Sequence, residues 1–129
     1  MKKTFRILLI ILAISCLFSF ASCNKEPAES PESKEITIKV TIIDDKGESE
    51  AFNITTKKTN LADALLEAKL VSGTQDQYGL YIITANGVTA DYSVDGSWWS
   101  ISKGGVDLMT GASSTPIADG DEFELTYKK

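Results

Sequence analysis

Apolar and polar residues alternate with a period of two near both ends of the segment 36–129. In the run 36–42 every second residue is isoleucine or valine, and Phe123, Leu125 and Tyr127 repeat the pattern before the C-terminus. Because successive side chains of a β-strand point to opposite faces, this alternation predicts strands with one apolar and one polar face. The folded part of the chain therefore starts and ends with strands that each cover one side of a core.

Turn-forming residues separate the other strands that the sequence predicts. Residues 44–47 (Asp-Asp-Lys-Gly) end the first strand, and Phe52 and Ile54 mark a second, so that the two form an opening hairpin. Residues 86–87 (Asn-Gly) and 119–121 (Asp-Gly-Asp) are also typical of turns. Aromatic and branched residues predict two further strands, at residues 78–83 and 98–102.

One helix is predicted after the hairpin. Asn60 is a suitable N-cap, because its side chain can accept a hydrogen bond from a free N–H of the first turn. Leu61, Leu65 and Ala68 then recur at helical spacing, and residues 72–73 (Ser-Gly) predict the end. A hairpin, a helix and then several strands is an order typical of the α+β class. We predict a β-grasp-like fold, with a mixed sheet of about five or six strands and one helix packed on one face.

The first 22 residues have the composition of an export signal. Three basic residues among the first six positions precede an apolar run over residues 7–20, and the small residues Ala21 and Ser22 follow it. We therefore predict a signal peptide at residues 1–22. The apolar run is too short for a permanent membrane span, which needs about 20 apolar residues.

Cys23 directly follows the small residues of this leader. The ending Phe20-Ala21-Ser22-Cys23 resembles the lipobox of bacterial lipoproteins, in which the cysteine thiol receives a diacylglycerol group. The resemblance implies that Cys23 is lipidated. It also implies an extracytoplasmic protein that is anchored through membrane lipid to the bacterial cell membrane.

A polar segment separates Cys23 from the first strand. Residues 24–34 contain two prolines and no apolar residue larger than alanine, which is typical of a disordered tether. We predict the lipidated cysteine and the tether at residues 23–35 and one folded domain at residues 36–129, since that length suits a single core. All 18 acidic residues follow Cys23, and an acidic surface argues against nucleic acid as a partner.

The residue types that most enzymes need are absent from the sequence. There is no histidine, so the usual general base and the commonest zinc ligand are missing. No serine lies in a Gly-x-Ser-x-Gly elbow, and no phosphate loop is present. Acidic residues such as Asp91, Asp95 and Asp121 leave calcium binding as an alternative, although their spacing matches no calcium loop. We predict a protein that is not an enzyme and that holds no metal or cofactor, with a hydrolase as a weaker alternative.

Several short motifs of the folded part resemble those of one domain family. In chain order they are Tyr78-Gly79-Leu80-Tyr81-Ile82, Asn86-Gly87-Val88, Asp95-Gly96-Ser97-Trp98-Trp99, Gly111, Asp119-Gly120-Asp121 and Tyr127. Together they resemble the DUF4430 family, which is similar to the C-terminal domain of transcobalamin and intrinsic factor. In those animal proteins the similar domain covers one face of cobalamin together with a larger helical domain. The resemblance therefore implies a small module that binds cobalamin or a related flat ligand.

The neighbouring residues Trp98 and Trp99 point to opposite faces of their predicted strand. The resemblance supports Trp99 as a core residue, which leaves Trp98 on a face with Ser100 and Ser102. Trp98 is then either an exposed platform for a flat ligand or a peptide, or a residue that packs under a neighbouring loop. The predicted ligand-binding residues are Trp98, Tyr81, Tyr92 and Met109.

Two functional hypotheses follow. The first is a membrane-anchored, non-catalytic module that captures a corrinoid or another flat ligand and presents it to a membrane transporter. The alternative is a protein or peptide interaction domain at the cell surface. In that case the same surface holds a peptide or a helical partner protein.

Overall fold

Residues 34–129 are the part of the chain that the computed structural model describes. The predicted signal peptide, Cys23 and the tether up to residue 33 lie outside these described residues and stay predictions. No helix within residues 34–129 is long and apolar enough to cross a membrane.

Strands make up most of the described chain. The strands are β1 (Ile36–Ile43), β2 (Ser49–Thr56), β3 (Val71–Asp76), β4 (Gly79–Ala85), β5 (Val88–Thr89), β6 (Trp98–Lys103), β7 (Val106–Asp107) and β8 (Glu122–Lys128). The helices are α1 (Leu61–Glu67), α2 (Tyr92–Asp95) and a 3-10 turn (Ala112–Ser114).

The strands form two sheets. One has five strands in the order β2-β1-β8-β6-β7, in which β1 runs antiparallel to β2 and parallel to β8. The other has three strands in the order β3-β4-β5, all antiparallel. The predicted α+β class and the opening hairpin are confirmed. The second sheet was not predicted, and the β-grasp assignment stays a prediction.

The alternation at the two ends of the folded part is confirmed by burial. Ile38, Val40 and Ile42 of β1 are buried, and so are Phe123 and Leu125 of β8. The parallel register places Val40 beside Phe123 and Ile42 beside Leu125. Burying a side chain of this size stabilises a fold by about 1.5–3 kcal/mol, so the first and last strands together hold much of the core.

Helix α1 begins as predicted and ends earlier than predicted. The backbone N–H of Asp63 donates to the side-chain oxygen of Asn60 at 2.9 Å, which confirms the N-cap. The predicted end at residues 72–73 is wrong, because the helix ends at Glu67. Lys69 has a φ of 56°, in the left-handed region, and there the chain leaves the helical path and enters β3.

Strand β3 was missed because its side chains carry little hydrophobic pattern. All of its residues after the first are exposed, and the strand is defined by its pairing with β4. That pairing is interrupted by a bulge. Ser72 pairs with Thr84 and Gly73 pairs with Ile82, so that Ile83 is left as the extra residue of β4. On the β5 side of the strand, the backbone oxygen of Ile83 accepts from the N–H of Ala90 at 2.8 Å.

Candidate ligand groove at Trp98

Strand β6 directs its two tryptophans to opposite faces of the five-stranded sheet. Trp99 is 7% exposed, whereas Trp98 is 43% exposed. Trp98 is therefore exposed rather than packed under a neighbouring loop, and its role as a platform for a ligand stays a prediction. Met109, on the loop that follows β7, is itself 98% exposed and does not cover the Trp98 ring.

Trp99 joins the two sheets. Its indole N–H donates to the backbone oxygen of Ile83, the extra residue of the β4 bulge, at 3.1 Å. Its ring meets the Tyr127 ring edge to face, with centroids 5.8 Å apart and an angle of 84° between the planes. An indole that is buried with its N–H bonded and its ring packed on another aromatic stabilises the core. The backbone oxygen of Ile83 is thus the acceptor that links β6 to β4.

A shallow groove opens beside Trp98, with a volume of about 360 Å³. Its apolar lining includes Trp98, Leu108 and Met109 as well as parts of Trp99 and Ile101. Asp107 and Thr110 add polar atoms. Of the four predicted ligand-binding residues, the structure brings Trp98 and Met109 together here. An exposed ring with apolar and polar neighbours is the combination that binds flat, amphipathic ligands.

The groove exists because β7 is short. β7 pairs with β6 only at Ser102 and Lys103, and the N–H of Leu108 adds one bond to the oxygen of Ile101 at 2.8 Å. The chain then turns away towards the 3-10 helix. The stretch of β6 that contains Trp98 is therefore not paired with β7, and the groove lies along this open edge.

A network of hydrogen bonds fixes the backbone just before Trp98. Asp95 accepts from both the N–H and the hydroxyl of the fully buried Ser97, and Lys129 Nζ lies 3.3 Å from its other oxygen. The hydrogen bonds from Ser97, followed by the interaction with Lys129, lower the pKa of the Asp95 carboxyl. The N–H of Asp91 also donates to the Ser97 hydroxyl, at 3.1 Å. Trp98 thus follows a rigid turn rather than a free loop.

The exposed polar surface next to Trp98 is smaller than the sequence predicted. Ser100 and Ser102 share its face by alternation, but both are buried, at 6% and 7% exposure. They lie opposite Thr126 and Glu124 of β8, whose longer side chains flank them. The open surface is therefore limited to Trp98 and the segment that faces it.

The other two predicted residues lie elsewhere. Tyr81 is on β4 in the three-stranded sheet and Tyr92 opens α2; both are exposed, and neither lines the groove. Sequence reasoning missed Leu108 and Thr110. The signal that could have found them was the Gly104-Gly105 turn, because a tight turn returns the following residues along the strand before it.

The acidic residues considered for a calcium site accept hydrogen bonds from nearby backbone N–H groups. Asp91 accepts from the N–H of Ser93 at 3.0 Å and caps α2, and Asp121 accepts from the N–H of Ala118 at 2.9 Å. Burial alone would raise the pKa of Asp121, but the hydrogen bond from Lys103, joined by that of Ala118, gives a net lowering. Within residues 34–129 no three carboxylates gather in a group that could hold a metal ion.

These features define a small α+β domain with a shallow groove on one side. The family model of DUF4430, a domain of unknown function, matches residues 58–129. The chain belongs to the DUF4430 family, as its motifs predicted. No protein with a curated description matches it significantly.

Two solved structures are similar to the described domain. One is a candidate metal-binding protein from Ruminococcus gnavus ATCC 29149, with 41% identity, a TM-score of 0.69, and coverage of 74% of this chain and 98% of the other. The other is haptocorrin in complex with Cbi, with 20% identity, a TM-score of 0.63 and coverage of 75% of this chain. The match spans 26% of the haptocorrin chain, about a quarter of its length. The R. gnavus chain consists almost entirely of the matched part.

Proposed function

We propose that this protein is a membrane-anchored, non-catalytic binding module. It captures a flat ligand, cobalamin or a related corrinoid, in the groove at Trp98 and presents it to a membrane transporter. The observation that carries this proposal is the half-exposed indole of Trp98, held on a rigid turn at the open edge of β6. The groove takes a ligand from one side only, which suits reversible capture and release.

The choice of a corrinoid as ligand rests on the chemistry of the groove and on the structural similarity to haptocorrin. Exposed aromatic rings in apolar grooves contribute strongly to binding, because they bury a large rigid surface at little cost in conformational entropy. Haptocorrin, whose domain of similar fold was solved with Cbi, supports a corrinoid as the first ligand to test. The R. gnavus protein is described as metal-binding. Residues 34–129 of this chain contain no group of carboxylates that could hold a metal ion.

Calorimetric titration of the domain of residues 34–129 with cobalamin and cobinamide tests the ligand. We expect saturable binding that Trp98→Ala weakens by about tenfold or more, as for a central aromatic contact. Tyr81→Ala is the matched control, because Tyr81 has the same 43% exposure and lies outside the groove. No heat with either corrinoid, or equal loss in both variants, would remove the groove as a corrinoid site.

The membrane anchor is tested separately in the full chain. We expect Cys23→Ala to move the protein from the membrane fraction to the soluble fraction after signal removal, because stable anchoring requires the acyl chains. Cys16→Ala is the matched control, since Cys16 lies inside the apolar run of the leader. Membrane retention of the Cys23 variant, or equal release of both variants, would contradict lipidation at Cys23.

A protein interaction domain is the second candidate. It is favoured by the match to only 26% of haptocorrin, which leaves most of that protein without a counterpart in this chain. In this case the Trp98 groove docks on a helical partner protein or a peptide. Crosslinking from native membranes through a photoreactive residue at position 109 is expected to recover that partner. Recovery of background proteins alone would count against it.

A further inference from the structure

Strand β2 differs from the other strands at the sheet edges. The five-stranded sheet ends in β2 and β7, and the three-stranded sheet ends in β3 and β5. β5 and β7 have two residues each, and the β3 ladder is broken by a bulge. Short strands and bulges are the usual means by which proteins prevent edge-to-edge pairing. β2 has eight residues in an unbroken register with β1 and contains neither proline nor lysine.

The backbone of β2 presents free donors and acceptors on its outer side. The N–H of Asp44 donates to the oxygen of Glu48 at 3.0 Å, which fixes which pairs of the hairpin exchange hydrogen bonds. Because these pairs alternate along an antiparallel ladder, the backbone groups of Ala51, Asn53 and Thr55 point away from β1. All three residues are exposed, and among the described residues no other backbone segment bonds to them.

A groove of mixed polar and apolar lining runs beside this edge. It has a volume of about 280 Å³ between β2 and the C-terminal end of α1. Phe52, which is only partly buried, lines it together with Ala68 and Leu70. Glu67 and the polar residues of β2 complete the lining. A strand added to the edge would place its core-side residues over this groove. Such a strand needs apolar residues at alternate positions.

Strand β2 itself meets that requirement. In an antiparallel pairing of two copies centred on Asn53, Phe52 of one copy lies opposite Ile54 of the other. Alternation then makes the pair at Asn53 and the pairs of Ala51 with Thr55 the hydrogen-bonded ones. The apolar residues of both strands face the groove side together.

The charges that flank β2 favour the same arrangement. Glu48 lies just before the strand, and Lys57 and Lys58 lie just after it, all exposed. An antiparallel copy brings the acidic end of one strand to the basic end of the other, at both ends of the interface. A parallel copy would bring like charges together.

We propose that two copies of this protein pair through β2, antiparallel and centred on Asn53, into one continuous sheet. The surface lies at the opposite edge of the five-stranded sheet from β7 and the Trp98 groove, so the proposal does not depend on the ligand. The interface combines backbone hydrogen bonds with apolar contacts over the partly buried Phe52.

Sedimentation equilibrium of the domain of residues 34–129, over a concentration series reaching the millimolar range, tests the pairing. We expect a reversible dimer. Ala51→Pro removes an N–H that the hairpin does not use, so the fold is expected to persist. The dimer loses one hydrogen bond from each copy and is expected to weaken by about a hundredfold, about tenfold for each bond. Asn53→Lys places two like charges side by side at the centre and weakens the dimer in the same direction.

Thr41→Lys is the charge-matched control, because Thr41 lies on the same outer face one strand inward from the edge. It is expected to leave association unchanged, as is Trp98→Ala. A monomer at every concentration would overturn the proposal. A dimer that Ala51→Pro leaves intact would also overturn it. So would a monomeric protein whose β2 edge binds only an extended peptide of other sequence.

Discussion

Replacing Trp99 by alanine is expected to lower the free energy of unfolding by about 3–5 kcal/mol, the range for truncating a large buried aromatic residue. The substitution removes the edge-to-face contact with Tyr127 and the indole hydrogen bond to Ile83. It also leaves a cavity between the two sheets. Chemical denaturation followed by circular dichroism measures the loss.

The neighbouring tryptophan provides the matched control. Trp98→Ala is expected to cost less than about 1 kcal/mol, because this ring lies half in solvent. Trp99→Phe separates packing from hydrogen bonding. It should cost only about 1–2 kcal/mol, since the Ile83 oxygen still accepts from the N–H of Ala90 at 2.8 Å. Equal losses for Trp98→Ala and Trp99→Ala would contradict the assignment of the two faces.

Gly73→Ala is expected to destabilise the protein by at least about 2 kcal/mol, because the new methyl group would overlap backbone. A Cβ at this position would lie 1.8 Å from the backbone oxygen of Tyr81. The overlap cannot be relieved by rotating a side chain, so β3 has to separate from β4. Hydrogen exchange should show the loss of protection concentrated in β3.

Gly111→Ala is the control for the glycine prediction. Gly111 has a φ of −70°, which alanine adopts without strain, and a Cβ there would meet nothing within 4 Å. Its stability is expected to stay within about 0.5 kcal/mol of the parent protein. A Gly73→Ala variant with the same melting behaviour as Gly111→Ala would show that β3 and β4 do not approach as closely as described.

Part of the binding surface was predictable and part was not. Alternation along β6 placed Trp98 and Trp99 on opposite faces, and this pattern depends only on local backbone geometry. The grouping of Trp98 with Met109, and the exclusion of Tyr81 and Tyr92, depended on how far β7 runs beside β6. The length of such a pairing is set by contacts between distant segments.

The sequence by itself determined the strands with alternating apolar residues, the start of α1 at Asn60 and the α+β class, because these follow from local periodicity and capping. It also predicted the family from the order of its motifs. Only the tertiary structure decided that there are two sheets, that the backbone oxygen of Ile83 accepts from the Trp99 indole, and that the polar segment 71–76 becomes a strand. In each of these cases the energy comes from hydrogen bonds and packing between segments far apart in the chain, and no local pattern records them.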